Sequence, residues 1–400
     1  MRRRAVITGI GISTAYGTGK EVNWAGIRSG VSAIEDISFF DASGYRSKQG
    51  GEIKGFRKTA FNNIKDQRLD RSTHLLVHTA REALLESGAV NIIRDRPAFL
   101  SLGTSLGGML SGELFHREAI KKGLSRARLS LVSDYLAHKQ AVNLMREFKI
   151  KGDFIVFSNA CASGANAIGH ALNSIWSGNY DIAVCGGYDT MCEFTFAGFN
   201  SLMALSPSLC RPFDRNRDGL VLGEGAGVLI LEEAGHAIRR NAKILGEAAG
   251  YGESSDAYHM TAPEPSGRSA ALAITRAWNS AGNPAIDYIN AHGTGTKYND
   301  AMETNAILSA LGEKAGDIPV SSTKSMVGHI LGGAGAVEAV ICLLAIIHKT
   351  LPPTLNYDNS DPECGLNIIG RAAGHNVRTA LSNSFGFGGS NATLILKEYV

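Results

Sequence analysis

Phe154-Ile155-Val156-Phe157, followed after Ser158 by Asn159-Ala160-Cys161-Ala162-Ser163-Gly164, is where this chain passes from strand to helix. The first block is short, apolar, aromatic and β-branched, which reads as a buried strand. From Gly164 to Trp176, Ala165, Ile168, Ala171, Leu172 and Ile175 recur at helical spacing. Cys161 therefore falls in a strand-to-helix turn with its sulfur toward a helix N-terminus. Unpaired N–H groups and the helix dipole there favour thiolate, the nucleophilic form. A small buried residue in a turn is the other reading of the same cysteine.

Two later stretches bear on that choice. Tyr288-Ile289-Asn290-Ala291-His292-Gly293-Thr294-Gly295-Thr296 puts a histidine just after an apolar strand, with Asp300 and Glu303 on a helix beginning near Asn299. Val320-Ser321-Ser322-Thr323-Lys324-Ser325-Met326-Val327-Gly328-His329 puts a lysine and a second histidine beyond a third strand. Each reactive residue ends a predicted strand beside glycine, which allows positive φ and close ligand approach. The conjunction points to one active site assembled from loops.

The order of elements suggests two related halves, residues 1–238 carrying the cysteine and residues 239–400 carrying the histidines. Strand Ala5–Gly9 opens the first, and Lys243-Ile244-Leu245-Gly246-Glu247-Ala248-Ala249 opens the second. Strand Ala98–Leu102 before Gly103-Thr104-Ser105 parallels Tyr288–Ala291 before His292-Gly293-Thr294, and Phe154–Cys161 pairs with Ala380–Phe387 as strand into tight loop. Helical patterns cover Ser72–Leu85, Leu131–Arg146, Ser269–Ala281 and Ala336–Ile347.

Composition narrows the class. The 400 residues, 44% hydrophobic, exceed one small domain and support a large core. A net charge of +3, with no basic run longer than Arg2-Arg3-Arg4, gives no footprint for nucleic acid. Cysteines at 161, 185, 192, 210, 342 and 364 form no CxxC pair, which argues against a zinc site and fits a reduced compartment. Ala5–Ile12, interrupted by Gly9 and Gly11, reads as a first strand rather than a signal peptide. Val340–Ile347 is too short to span a bilayer and reads as a buried helix. Gly9-Ile10-Gly11 lacks the third glycine of a dinucleotide fingerprint, since Thr14 stands there, so a nicotinamide enzyme is disfavoured.

Taken with Arg4-Ala5-Val6-Ile7-Thr8-Gly9-Ile10-Gly11, Arg211-Pro212-Phe213-Asp214, Arg217-Asp218-Gly219, Gly223-Glu224-Gly225-Ala226-Gly227 and Asn383-Ser384-Phe385-Gly386-Phe387-Gly388-Gly389-Ser390-Asn391, the site stretches carry a likeness nearly end to end. The chain resembles the β-ketoacyl-acyl-carrier-protein synthases of type II fatty acid and polyketide synthesis, in their elongating Cys-His-His branch. Thiolases carry a second cysteine in the C-terminal glycine-rich loop, and residues 383–391 have none. Initiating synthases have asparagine in place of the second histidine, and inactive chain-length partners lack the nucleophile.

The resemblance implies the thiolase fold, a pseudo-duplicated five-layer α/β/α/β/α arrangement, and a decarboxylative Claisen condensation. An acyl chain moves from the phosphopantetheine arm of acyl carrier protein to Cys161, and a malonyl-carrier protein then condenses with it. His292 and His329 donate Nε2–H to the malonyl thioester oxygen, while the N–H groups of Cys161 and Phe387 form a second oxyanion hole. Lys324, Asp300, Glu303 and Glu338 form the supporting set, Lys324 orienting His329 or a water and the carboxylates Asp300 and Glu303 neutralising Lys324. Phe387 is the gate, Thr294 and Thr296 hold the pantetheine arm, and Leu106 and Phe199 line the acyl pocket.

The resemblance implies no cofactor and no metal, a cytoplasmic enzyme, and acyl carrier protein as partner. It further implies a homodimer, or a heterodimer with a related subunit, placing the segment Val184–Phe199 near the partner. Met191, Cys192, Phe194, Phe196 and Phe199 give that segment more apolar surface than a solvated loop needs. Carriers are acidic, so Lys121, Lys122, Arg126, Arg128 and Arg211 are candidates for the docking rim. The chain departs from its relatives at Met203, where many have arginine, at Lys297-Tyr298, where proline is common, and at Asn159, where threonine is frequent.

Overall fold

A computed structural model describes residues 3–64 and 69–400, so Arg2 of the basic run lies outside the described residues. In the first half, strands β1 Ala5–Thr14, β2 Phe99–Gly103, β3 Phe154–Phe157, β4 Ile182–Asp189 and β5 Gly225–Glu233 lie in the order β3-β2-β4-β5-β1. In the second, β6 Gly246–Ser255, β7 Tyr288–Asn290, β8 Pro319–Ser321, β9 Thr379–Gly386 and β10 Ser390–Lys397 lie in the order β8-β7-β9-β10-β6. The two orders are the same permutation. Polarity matches as well: the outer three strands of each half are parallel and the inner pairings antiparallel. The halves meet edge to edge where Ala5–Ile7 of β1 pairs with Gly246–Ala248 of β6.

The duplication corrects one equivalence expected from sequence. The partner of Phe154–Cys161 is Val320–His329, since both contain the third strand of their half. Ala380–Phe387 belongs with β4, since both are fourth strands.

Helices α1 Arg71–Ser87, α2 Met109–Lys122, α3 Ser163–Trp176, α4 Glu193–Ser201, α5 Arg268–Ser280, α6 Lys297–Leu311 and α7 Ala334–His348 surround these strands. The third strand of each half leads to a central helix, α3 or α7. Both are buried in one cluster with strands of both halves, including Ile7, Leu229, Ala380 and Leu394. Helix α1 packs on the opposite side of the first half through Leu75, Leu76 and Leu84, and α5 with α6 does so on the second through Ile274 and Ile307. Helix, sheet, helix, sheet, helix makes five layers, as expected.

Helix α7 is buried from Ala334 to Ile346 because it lies between two sheets. By length and composition Leu331–His348 is apolar enough to cross a bilayer, yet 89% of it is buried inside this protein. The two central helices touch at backbone distance. A Cβ on Gly164 would stand 2.8 Å from the Gly332 carbonyl oxygen, and one on Gly335 would stand 2.8 Å from Ala165 N. Only glycine permits that approach.

Most predicted helices are present within two residues of their expected ends. The exception is Leu131–Arg146, which is two helices, Ser130–Tyr135 and His138–Phe148. Leu136 is extended between them, and the Gln140 amide donates at 2.8 Å to the Asp134 carbonyl, which His138 N–H would take in an unbroken helix. Val184–Phe199 is likewise no loop. Val184 lies in β4, Phe196 and Phe199 lie in α4, and Met191, Cys192 and Phe196 are buried in the chain's own core, while Phe194 is 64% exposed. All six cysteines are free and buried.

Candidate active site

Cys161 occupies a short 3₁₀ turn, Ala160–Ala162, between β3 and α3. Ala160 has φ 56°, a left-handed conformation that a side chain resists, and it turns the chain sharply ahead of the cysteine. Ser163 Oγ braces the turn, accepting from Asn159 N–H at 2.9 Å and donating to the Ala160 carbonyl at 2.6 Å. Gly386, at the end of β9, presses on the same turn: a Cβ there would lie 3.1 Å from Cys161 N. The Phe387 N–H donates to the cysteine sulfur.

His329 is carried in from the other half. Its N–H donates to the Val221 carbonyl at 2.7 Å and its own carbonyl accepts from Gly223 N–H at 2.9 Å, which accounts for the glycine-rich middle segment. Its Nε2 lies 3.0 Å from Cys161 Sγ. His292 meets it edge to face with ring centroids 5.3 Å apart and is backed by Phe385 at 5.8 Å. Cys161, His292, His329, Thr294, Thr296, Phe199 and Phe387 all line one cavity of about 460 Å³.

The supporting residues are buried around this cavity rather than in its wall. Glu303 accepts from the N–H groups of His292 and Gly293, both at 2.8 Å, and from Asn383 Nδ2 at 3.1 Å. It fixes the backbone that presents His292. Asp300 accepts from Phe213 N–H at 2.7 Å and Asn299 Nδ2 at 3.1 Å, with Arg217 at 4.0 Å. Neither carboxylate neutralises Lys324, contrary to the expectation. That lysine opens a short helix, Lys324–Val327, and pairs with Glu338 of α7. Leu106 does not line the cavity; it packs with Phe199, Leu220 and Leu331 in an adjoining apolar cluster.

Burial sets the protonation states. Desolvation outweighs the nearby Lys324 charge and pushes the Cys161 thiol up to about 12. This reverses the expectation of a thiolate favoured by the helix terminus: the resting sulfur carries its proton. The same desolvation, aided by Lys324, holds His292 and His329 well below the usual histidine range, so both rings are neutral. Burial raises Glu303 and Glu338 to about 7, Lys324 opposing the rise at Glu338. Asp300 is raised for the same reason.

The basic candidates for the docking rim are not in the cavity wall. Lys121, Lys122, Arg126 and Arg128 sit on or after α2 and line no part of the cavity, and Glu118 holds Arg128 at 2.9 Å and Lys122 at 3.5 Å. Arg211 also lies outside it, donating to Ser208 Oγ at 3.0 Å. Arg46 and Lys297, both exposed, do line it, as do exposed Leu202, Met203 and Tyr298. Sequence reasoning quoted Arg217 and Asn383 within motifs but gave them no role. Arg217 is buried and donates to the Thr296 and Lys297 carbonyls, both at 3.2 Å, which orders the Thr294–Thr296 segment. A buried charge in a glycine-rich stretch was the available signal.

A nucleophilic thiol and two neutral histidines, converging from two duplicated α/β halves onto one cavity, define a thiolase-fold acyl-transfer enzyme. Residues 2–237 match the family description "Beta-ketoacyl synthase, N-terminal domain" and residues 245–358 match "Beta-ketoacyl synthase, C-terminal domain". The chain is 41% identical to 3-oxoacyl-(acyl-carrier-protein) synthase 2 of Synechocystis sp., covering 100% of this chain and 99% of that one. It is 40% identical to the tetracenomycin polyketide synthase ketoacyl synthase alpha subunit of Streptomyces glaucescens, covering 98% and 97%. Among solved structures, the ishigamide ketosynthase/chain length factor aligns with a TM-score of 0.94 at 36% identity, covering 100% of both chains. The chain belongs to the beta-ketoacyl synthase family.

Proposed function

We propose that this protein elongates acyl chains by decarboxylative condensation of a Cys161-bound acyl group with malonyl-acyl-carrier protein. The products are 3-oxoacyl-carrier protein and CO2. The observation that carries this reading is the 3.0 Å contact between His329 Nε2 and a buried, protonated Cys161, with neutral His292 beside it in one cavity.

In the first step the sulfur attacks the carrier thioester, a new C–S bond forms, and the carrier thiol leaves. His329 Nε2 takes the thiol proton and returns it to the departing carrier sulfur. Covalent capture divides a bimolecular condensation into two tractable steps. In the second step the malonyl carboxylate leaves as CO2, and its electron pair forms an enolate stabilised by N–H donors of His292 and His329. An imidazole proton can occupy either nitrogen, so His329 accepts in one step and donates in the next. The enolate carbon bonds to the acyl carbonyl, whose oxyanion faces the N–H groups of Cys161 and Phe387. Collapse expels the Cys161 sulfur, which takes a proton from solvent. Lys324 and Glu338 hold the charge balance behind the histidines, Glu303 and Asp300 hold backbone, and no cofactor enters. Phe387 gates the cavity, and Thr294 with Thr296, hydroxyls 2.9 Å apart, receives the pantetheine arm.

The partners of this reading are an acyl carrier protein and a second subunit, in the cytoplasm. Strand β3 ends the sheet with an unpaired edge and carries exposed Phe154, and the segment 114–129 exposes Leu114, Ile120, Leu124 and Leu129. A homodimer through this surface is the first expectation. The likeness to a ketosynthase/chain length factor structure favours a second, a heterodimer in a polyketide-type system.

Intact-mass analysis after incubation with a panel of acyl-carrier proteins tests the first step, and addition of malonyl-carrier protein tests the second. Acyl mass on Cys161, followed by 3-oxoacyl-carrier protein and CO2, is expected. Malonyl consumption without a new carbon–carbon bond refutes the reading.

A further inference from the structure

The loop Gly386–Gly389, which carries Phe387, is pinned at both ends to the turn that carries Cys161. At its start, a Cβ on Gly386 would stand 3.1 Å from Cys161 N and 3.3 Å from the Asn159 carbonyl oxygen. At its end, Ser390 begins β10, and its Oγ accepts from Asn159 Nδ2 at 2.7 Å. Among the described residues this is the one hydrogen bond of the Asn159 side chain. Its backbone N–H is held by Ser163 Oγ at 2.9 Å, so the amide projects from a fixed base. Between the pinned ends Gly388 and Gly389 have φ 81° and 79°, Gly388 N–H donates to the Met260 carbonyl at 2.8 Å, the Gly389 carbonyl accepts from Asp256 N–H at 2.9 Å, and the Phe387 ring stacks on Phe199 with centroids 5.7 Å apart.

Swinging Phe387 away from Phe199 requires the stems to give. The start of the loop is fixed by backbone contact, and the Asn159–Ser390 hydrogen bond is the side-chain restraint that ties its end to the nucleophile's turn, while the Asn391 amide holds the Gly389 carbonyl at 3.3 Å and Asp256 Oδ1 at 2.6 Å. A threonine at 159 would end one bond short of the asparagine amide.

We propose that Asn159 is a positioning residue that latches the Phe387 loop, through Ser390, to the nucleophile's turn and so sets how often the acyl path opens. This rests on Phe387 being the gate. The latch couples the two events that must alternate: an open path while a long acyl chain reaches Cys161, and a closed one while malonyl condensation excludes water.

The test compares Asn159→Ala, Ser390→Ala and the double variant with the native protein. It reads single-turnover acylation of Cys161 by short- and long-chain acyl-carrier proteins, alongside alkylation of the same thiol by iodoacetamide. Each single variant is expected to speed long-chain acylation about fivefold, the equivalent of one neutral hydrogen bond of ordinary net strength. The double variant is expected to be no faster than either, with iodoacetamide alkylation unchanged. Additive effects, or native long-chain rates in Ser390→Ala, overturn the latch. An equal rise in iodoacetamide alkylation also overturns it, since the thiol itself would then have changed. Should Asn159→Ala fail to fold, Ser390→Ala reads the same bond from its other side. Phe387→Ala separates the two claims. If it leaves long-chain acylation at the native rate, the gate reading fails. If it speeds acylation while the Asn159 and Ser390 variants do not, only the latch fails.

Discussion

The turn Ala160–Ala162 and the turn Leu331–Gly333 hold the same place in their two halves, after the third strand and before the central helix. Each begins on a non-glycine residue in left-handed conformation, Ala160 at φ 56° and Leu331 at φ 51°. There the likeness stops. Where the first turn has Cys161, the second has Gly332, whose N–H donates at 2.7 Å to the buried carboxylate of Asp189 at the end of β4. That carboxylate also accepts from the Thr104 hydroxyl at 2.6 Å and from the Ser105 and Leu106 N–H groups, both at 2.9 Å. Around Cys161 the place of Asp189 is taken by Gly386, at the end of β9, and His292 stands where Gly103 stands in the other copy. One copy is filled and knotted; the other is emptied, and the vacated space is the cavity. The two copies thus differ by a carboxylate present beside Gly332 and absent beside Cys161, and by a thiol present in only one turn.

The most severe test of that contrast is Cys161→Ala. It is expected to abolish acyl-enzyme formation and condensation completely, read by intact mass, since the other five cysteines are buried without a comparable turn. Residual turnover would move the nucleophile out of the first half. Next, His292→Ala and His329→Ala should each lower condensation by about 10²- to 10³-fold, the usual cost of losing one donor to a developing oxyanion. They should differ in acylation, where only His329→Ala slows Cys161 loading, because of the two histidines it is His329 that hydrogen-bonds the sulfur. Equal loading rates in both variants would remove the proton-handling role.

The knotted copy is tested by stability. A Cβ on Gly332 would lie 2.4 Å from Ser105 N and 2.5 Å from the Thr104 carbonyl carbon, both immovable backbone. Gly332→Ala is therefore expected to cost about 3 kcal/mol in chemical denaturation, whereas Cys161→Ala, in the emptied copy, should leave stability near native. The smallest effect concerns pH. Glu338 titrates near 7, so it gains a proton as pH falls through 7 and its pairing with Lys324 weakens. The histidines stay neutral throughout, being held well below 6.5. Condensation should fall several-fold on the acid side of about pH 7, and Glu338→Gln should flatten that limb. An unchanged limb in the variant would assign it to another group.

Local pattern made much of this legible. The strand Phe154–Phe157 with its helix, the strand before His292 and the apolar helix at 334–348 follow from side-chain periodicity, which short-range backbone geometry enforces. The motif order carried the family, the five layers and the chemistry. What local pattern did not carry was any property fixed by contacts far apart in the chain. Lys324 chose Glu338 over Asp300 and Glu303 because α7 passes between the sheets, which no spacing along the sequence reports. The equivalence of Phe154–Cys161 with Val320–His329 appeared only in strand order. The protonated thiol is of the same kind: a helix N-terminus is visible in sequence and lowers the pKa, but enclosure by two halves is not visible and raises it further. Sequence by itself determined which groups react and which elements carry them, since those are local. Tertiary structure decided their partners and charge states, because pairing and desolvation depend on what the rest of the chain brings around each group.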